Sequence, residues 1–237
     1  MDGRPLVNDE FWGGLIDKSS GRNSHFKERD QLLLGLACLA GFREIELTLC
    51  TIDLFIAPNG ELNELIVMPE SIAYDNCERP IPLAHPDLQN LFQTYIKWLL
   101  NNGLNTHPGE SYLGLNPNAQ LFVDDSYKAY TVQKRGNDTL SPNSLNKHLD
   151  SLIKRASLWD CGIRRKSFVR TFIINGYRAG MSTSDLIVIS GLGHDTIEKT
   201  LTMDYEQYSP IAEWFVKRRE QKVKHLESMK KRRRFML

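Results

Sequence analysis

This chain of 237 residues has few cysteines and no long apolar run. The four cysteines, Cys38, Cys50, Cys77 and Cys161, are scattered and form no Cys-x-x-Cys pair, so reduced thiols are expected rather than a zinc site. No apolar segment is long enough to cross a bilayer, and the first ten residues are polar and charged, unlike a secretory leader. We therefore expect a cytoplasmic protein, nucleoid-associated if bacterial, with no membrane partner.

A net charge of only +1 conceals a strong asymmetry between the two halves of the chain. Residues 1–120 carry 8 Lys and Arg against 16 Asp and Glu, which is a net charge of −8. Residues 121–237 carry 22 against 13, which is a net charge of +9. The basic half indicates a surface that binds a polyanion such as nucleic acid, although basic runs are also common on solvated faces.

The first half of the sequence predicts one helical region and a small sheet. Residues 1–25 are rich in Gly, Asn and Ser and predict a poorly ordered lead-in. Apolar residues recur at helical spacing over 26–49, with an interruption at Gly41. Residues 51–56 and 65–68 are predicted strands, and 79–83, with two prolines, is a predicted edge strand.

The second half predicts helices almost throughout. Expected helices cover residues 87–100, a segment that opens at Ser141-Pro142-Asn143, and then 166–179, 183–191, 196–203 and 210–230. The fold class is therefore mainly α with a small antiparallel β-sheet (α+β). We expect three parts: a flexible lead-in (1–25), a main domain (26–210), and a basic C-terminal helix and tail (211–237).

Three residue types with phosphate chemistry follow one another along the chain. Arg43 ends an apolar helix pattern, and a planar guanidinium can bind two phosphate oxygens at any working pH. His194 ends the string Gly-Leu-Gly-His. Tyr205 opens Tyr-Glu-Gln-Tyr-Ser-Pro and could act as a nucleophile. Taken singly, each has a structural alternative: an ion pair of Arg43 with Glu46, a hydrogen-bonded histidine, or a packed tyrosine.

This order of Arg, Gly-His and Tyr resembles the tyrosine recombinase (phage integrase) family over residues 27–215, its catalytic domain. The resemblance implies that the fold is that of this catalytic domain. It also implies a site-specific DNA recombinase in which Tyr205, favoured over Tyr208, attacks a DNA phosphate to give a 3′-phosphotyrosyl bond and a free 5′-hydroxyl. Arg43, Arg170 and His194 would hold the phosphate, and no metal or other cofactor is implied.

Two stretches depart from the family pattern. In the block usually written His-x-x-Arg, an ungapped alignment puts Lys166 and Val169 at the two positions, whereas a slip of one residue puts Ser167 and Arg170 there. The lysine expected on the β-hairpin is also missing, because no lysine occurs between Leu65 and Leu83. This lysine normally protonates the leaving 5′-oxygen, so Lys128, Lys134 or Lys166 would have to replace it.

Double-stranded DNA is the expected partner. Basic residues expected to contact its phosphates are Arg164, Arg165, Lys166 and the terminal run Lys230, Lys231, Arg232, Arg233 and Arg234. The basic amphipathic helix near the C-terminus would either dock on a neighbouring protomer, giving a homo-tetramer on DNA, or pack on its own domain. An accessory DNA-binding protein is a further partner that the short N-terminal region allows.

Three other functions stay open at this point. The missing lysine and the altered His-x-x-Arg block favour a catalytically impaired DNA-binding relative that acts as an accessory or regulatory protein. A monomeric type IB topoisomerase-like activity would use the same chemistry. A helical protein-binding domain would leave the order of the three motifs as coincidence.

Overall fold

The computed structural model describes residues 2–19, 24–135 and 139–204, which form an α+β fold. After an N-terminal π-helix (Glu10–Ser19), the helices are α1 Lys27–Leu39, α2 Glu44–Leu49, α3 Pro86–Asn101, α4 Asn143–Arg155, α5 Lys166–Arg178, α6 Thr183–Ser190 and α7 His194–Leu201. The strands are β1 Leu65–Met68, β2 Arg79–Pro82, β3 Gln133–Arg135 and β4 Thr139–Ser141. None of the helices in these residues has the length and hydropathy needed to span a membrane. The predicted mainly helical α+β class is confirmed.

Helix α1 is the centre of the larger hydrophobic core. Its residues from Leu32 to Cys38 are all buried, because the helix is apolar around its circumference and packs against both α3 and α5. A smaller core lies where α5 meets α6 and α7, with Phe172, Leu186 and Ile197 buried together. Helix α5 contributes to both cores and therefore links the two parts of the fold.

Two short antiparallel hairpins complete the architecture. Strands β1 and β2 pair with Leu65 opposite Pro82 and Met68 opposite Arg79. Alternate side chains of this hairpin are buried, as period-2 structure requires, so that Ile66 faces the core while Val67 is exposed. Strands β3 and β4 form the second hairpin, which the sequence patterns did not predict.

The predicted strand over residues 51–56 is a 3₁₀ turn in the structure. Ile52–Leu54 forms the turn, and the two ends of the segment make isolated antiparallel bridges, Thr51 with Gln120 and Ile56 with Leu62. The side chains of Ile52 and Phe55 are fully buried. A short apolar run of this kind does not distinguish a buried strand from a buried turn by periodicity.

Part of the segment predicted as a poorly ordered lead-in, residues 1–25, is helical, and residues 1 and 20–23 of it lie outside the described residues. Residues Glu10–Ser19 form the π-helix, which packs on α4 and α1. Phe11, Leu15 and Ile16 are buried in the larger core. The glycine and serine content of this region masked a helical apolar face, and burial of that face provides the free energy that orders the segment.

A buried ionic network joins α1 to α4. Arg29 and Asp30 are each 1% exposed, and Arg29 Nη2 lies 2.8 Å from Asp30 Oδ1. His148 Nε2 lies 2.7 Å from the same oxygen, and Arg29 Nη1 donates to the carbonyl of Val123 at 3.1 Å. Burial alone would raise the pKa of Asp30, but the hydrogen bond from His148 and the charge of Arg29 outweigh it and hold that pKa below its ordinary value.

Asp30→Asn is expected to lower the free energy of unfolding at neutral pH by about 3 kcal/mol, because it removes the buried carboxylate of the pair and leaves Arg29 only the exposed carboxylate of Asp125, 2.9 Å from Nη2. A carboxyl with a depressed folded pKa stabilises the protein above its unfolded pKa of about 3.9, and that stabilisation is lost as the pH falls through the folded pKa. Urea unfolding should therefore show a gap between the wild type and Asp30→Asn at pH 7 that narrows at pH 3. Asp9→Asn, at an exposed position, is the matched control with a small gap at both values. An Asp30→Asn gap that is unchanged at pH 3 would contradict the assignment.

Candidate active site

Arg43 lies at a sharp turn between α1 and α2. Gly41 makes this turn with a φ of +74°, a conformation that disfavours any residue with a Cβ. A Cβ at Gly41 would also lie 2.7 Å from Cδ1 of Phe172 on α5. The turn therefore packs closely against α5, and it places Arg43 at the junction of α1, α2 and α5.

The carboxylate of Glu46 is fully buried beside Arg43 and is occupied by other groups. Glu46 Oε2 accepts the backbone N–H of Arg43 at 2.8 Å, and Oε1 accepts the backbone N–H of Tyr74 at 2.9 Å. Arg79 Nη2 lies 2.6 Å from Glu46 Oε1. The ion pair that Glu46 makes is thus with Arg79 of β2, and the alternative of a structural Arg43–Glu46 side-chain pair is not what the described residues form.

The guanidinium of Arg43 is left without a hydrogen-bonding anion. Its Nε and Nη2 are shielded from solvent and have no hydrogen-bond partner among the described residues. Its Cζ lies 4.9 Å from the centre of the Tyr74 ring, in a cation–π contact. Burial lowers the pKa of Arg43, against the opposing effect of the nearby carboxylates Glu46 and Glu44. A buried cation with free N–H donors is the half of an ion pair that an incoming anion would complete.

A cavity of about 360 Å³ opens onto Arg43. Four cationic and two acidic side chains line it: Arg43, Arg164, Arg165 and Lys166 against Glu44 and Asp150. The two acids are engaged by Arg165, whose Nη1 lies 3.2 Å from Glu44 and whose Nε lies 3.0 Å from Asp150. The cavity is therefore positive overall, and an anion of phosphate charge would neutralise it.

Arg164 and Lys166 border the cavity at the start of α5. The guanidinium of Arg164 stacks over Trp159 at 4.0 Å and lies 3.2 Å from the carboxylate of Asp2. Lys166 is exposed, and its side chain runs beside Gly3, where an added Cβ would fall 2.0 Å from Cε of the lysine. Thus the three predicted DNA contacts Arg164, Arg165 and Lys166 lie together with Arg43.

Arg170 lies on another side of α5 and does not line the cavity. Its Nη1 donates to the carbonyl of Gly3 at 2.5 Å, whereas Val169 is among the cavity residues. Helix α5 runs without interruption from Lys166 to Arg178, and neighbouring positions of a helix differ by about 100°. The helix therefore presents Lys166 and Val169 together, which is the ungapped alternative for the His-x-x-Arg block.

His194 is the first residue of α7 and lies at an exposed turn. Its side chain is 59% exposed, with Nε2 3.6 Å from Oε1 of Glu198. The turn is held against the β1–β2 connection, because a Cβ at Gly191 would lie 2.5 Å from the carboxylate of Asp75. Arg79 completes this contact by donating from Nε to the carbonyl of Ile189 at 2.9 Å. The Gly-His turn and Arg43 are thus joined through Arg79, although His194 does not line the cavity.

Several predicted site residues lie outside the described residues: Tyr205, Tyr208 and the basic run Lys230–Arg234. The last described residue, Asp204, forms an ion pair with Arg178 at the end of α5, at 2.5 Å. The chain is therefore anchored one residue before Tyr205.

The structure adds Tyr74 and Arg79, which sequence patterns did not single out. Both belong to the β1–β2 hairpin or its connection, and both bind Glu46. Of the replacement lysines, Lys166 lines the cavity, while Lys128 and Lys134 are not among its lining residues. Across the described part of the chain, no group of three or more His, Cys, Asp or Glu side chains is placed to hold a metal ion.

Comparison with known proteins identifies the fold. The sequence matches no protein-family model, and no curated protein matches it. Among solved structures, XerA recombinase matches with a TM-score of 0.60 at 15% identity, over 89% of this chain and 66% of that one. The Tn1549 transposon integrase in complex with transposon right end DNA gives 0.55 at 16% identity, over 92% and 66%. XerH site-specific recombinase bound to palindromic difH substrate gives 0.56 at 16% identity, over 87% and 52%.

These matches establish the architecture of the chain. It has the α+β catalytic-domain fold of the tyrosine recombinases, as the sequence motifs predicted. The chain spans less than two thirds of the length of each of these three proteins.

Proposed function

We propose that this chain is the catalytic domain of a site-specific DNA recombinase or integrase that works through a 3′-phosphotyrosyl intermediate. The observation that carries the proposal is the buried guanidinium of Arg43, whose Nε and Nη2 lack hydrogen-bond partners among the described residues and lie at a positively charged cavity. A planar fork of N–H donors binds two oxygens of one anion, and a phosphodiester offers two such oxygens. The recombinase fold and the DNA-bound recombinases among its structural matches support the same partner.

In this proposal Tyr205 is the nucleophile and Arg43 binds the non-bridging phosphate oxygens. Asp204, held by Arg178, anchors the chain next to Tyr205. His194 donates a hydrogen bond to the charge that develops on the phosphate, and Lys166 adds positive charge. Arg170 stays the predicted second phosphate clamp, and it would have to leave the carbonyl of Gly3 to act.

The proposed DNA partners and assembly follow from this chemistry. Strand exchange joins two duplexes, so four protomers would act together. The proposed contact between them is the predicted C-terminal helix and tail (211–237), which lies outside the described residues. The basic run Lys230–Arg234 would add salt-dependent affinity for phosphates without sequence information. An accessory DNA-binding protein would be a further component.

A second candidate function is a DNA-binding relative with impaired catalysis. Two observations favour it: Val169 lines the cavity where a second clamp would help, and residues 69–78 of the β1–β2 connection contain no lysine. It predicts salt-sensitive DNA binding without cleavage of nicked substrates.

Covalent capture is the experiment that tests the proposed function. The protein is incubated with nicked fragments of the DNA that flanks its own gene, denatured in SDS and examined for protein-linked strands. We expect adducts with the wild type and none with Tyr205→Phe, since the phenol oxygen is the atom that joins phosphorus. DNA binding should be equal for the two proteins.

Tyr208→Phe is the matched control, because it removes the neighbouring phenol from the same motif. Adducts that persist in Tyr205→Phe and vanish in Tyr208→Phe would move the nucleophile to Tyr208. Binding without any adduct in the wild type would favour the second candidate function.

A further inference from the structure

The proposed reaction requires a proton donor for the oxygen that leaves. Attack on phosphorus breaks the bond to the 5′-oxygen, and an alkoxide is a poor leaving group unless it gains a proton as it departs. This inference rests on the proposed function. The donor has to lie beside Arg43, because Arg43 is the group placed to hold the phosphate.

Among the described residues that line the cavity, two side chains have a proton suited to this step. An arginine does not give up its proton in a protein, which excludes Arg164 and Arg165. Glu44 and Asp150 accept from Arg165 and are carboxylates in that arrangement. The remaining donors at the cavity are the hydroxyl of Tyr74 and the ammonium of Lys166.

The structure holds Tyr74 in place over Arg43. Its backbone N–H donates to the buried carboxylate of Glu46 at 2.9 Å, and its ring centre lies 4.9 Å from Cζ of Arg43. The residue is nevertheless 56% exposed, so DNA can reach it. Glu46 thus positions both Arg43 and Tyr74 through their backbone N–H groups, and the two side chains would meet the same phosphate.

Lys166 is placed less well for this role. Its methylene groups run along the N-terminal segment at Gly3, on the α5 side of the cavity. No hydrogen bond among the described residues directs its ammonium toward Arg43. A lysine and a tyrosine are acids of similar strength when free in water, so placement decides between them.

We propose that the hydroxyl of Tyr74 is the general acid that protonates the leaving 5′-oxygen. The oxygen of Tyr205 forms a bond to phosphorus and loses its own proton to solvent. The bond between phosphorus and the 5′-oxygen breaks, its electron pair stays on that oxygen, and the proton of Tyr74 joins it to give the free 5′-hydroxyl. The Tyr74 phenolate then takes a proton from water.

A substrate with sulfur in place of the bridging 5′-oxygen tests this step. A thiolate leaves without a proton, because free thiols have a pKa of about 8.5 and are far stronger acids than alcohols. Sequenced adducts locate the scissile phosphate, and synthetic nicked duplexes are then made with oxygen or sulfur at that position. Tyr74→Phe keeps the ring over Arg43 and removes only the hydroxyl. We expect it to form adducts about 100-fold or more slowly on the oxygen duplex, and at nearly the wild-type rate on the sulfur duplex.

Two further variants sharpen the result. Tyr127→Phe is the matched control, since Tyr127 is a partly exposed tyrosine that packs with His25 and Phe26 and does not line the cavity. It should behave as the wild type on both duplexes. Lys166→Met should be slow on both, as expected for a residue that binds phosphate.

Three outcomes would overturn the inference and leave the proposed function in place. In the first, Tyr74→Phe cleaves the oxygen duplex at the normal rate, and in the second it is equally slow on both duplexes. The third outcome is that the sulfur duplex restores the rate of Lys166→Met instead of that of Tyr74→Phe. Wild type that cleaves only the sulfur duplex would also overturn it, since no general acid would then be acting. Wild type that forms no adduct on either duplex would overturn the proposed function, and this inference with it.

Discussion

Arg43→Met is expected to slow formation of the covalent adduct by about 10²–10³-fold, because it removes the donors that neutralise charge on the phosphate in the transition state. DNA binding should weaken as well, and the slope of log affinity against log salt should fall by about one, the value for a single lost phosphate contact. Adduct formation in SDS gels and a salt titration of binding measure the two effects separately.

The same substitution is expected to leave stability nearly unchanged. In the part of the chain that the structure describes, no carboxylate pairs with the guanidinium of Arg43, so methionine removes a desolvated charge and loses only the contact with Tyr74, worth about 1 kcal/mol. The matched control is Lys97→Met, which removes a positive charge from an exposed position of α3 away from this cavity. It should change neither stability nor adduct formation. A loss of several kcal/mol in Arg43→Met would instead assign Arg43 a structural role.

Glu46→Ala is expected to be the most destabilising single change, lowering the free energy of unfolding by about 3–5 kcal/mol. Arg79, 3% exposed, would lose the nearer and fully buried of its two carboxylates and keep only Asp75 at 3.8 Å, and the N–H groups of Arg43 and Tyr74 would lose their acceptor. For a chain of this size the melting temperature should fall by roughly 6–20 °C. Urea unfolding and thermal melting measure both quantities.

Replacing both members of the pair tests the explanation. Glu46→Leu combined with Arg79→Met should be more stable than Glu46→Ala alone, because no uncompensated charge stays buried. Glu70→Ala, at an exposed site in the same β1–β2 connection, is the control and should change stability by less than about 0.5 kcal/mol. If the double variant is no more stable than Glu46→Ala, the loss of stability comes from the N–H groups of Arg43 and Tyr74 and not from Arg79.

Elements with a clear apolar period could be predicted from the sequence, and the fold class followed from them. Helix α3 was expected over 87–100 and occurs at Pro86–Asn101, and β1 occurs at the expected residues. The π-helix was missed because its glycines and serines hid the buried face made by Phe11 and Leu15. The segment at Ile52 was misassigned because a short, fully buried run has no periodicity that separates strand from turn.

The candidate site could be predicted only in part, because tertiary contacts decide which partners meet. The position of Arg43 followed from its motif, but the preference of Glu46 for Arg79 depends on a hairpin that returns more than 30 residues later. The alignment also could not show which side of helix α5 faces the cavity. Val169 and Arg170 are neighbours in sequence, yet of the two only Val169 lines the cavity. Tyr74 is not part of any recognised motif, and only its position beside Arg43 in the fold identifies it as a candidate site residue.

The attachment of the first residues to α5 has a consequence for building on this chain. Asp2 contacts Arg164, and Gly3 contacts Arg170 and lies against Lys166, so residues 2 and 3 lie at the rim of the positive cavity. Any module joined in front of Asp2 would therefore emerge next to the proposed DNA path.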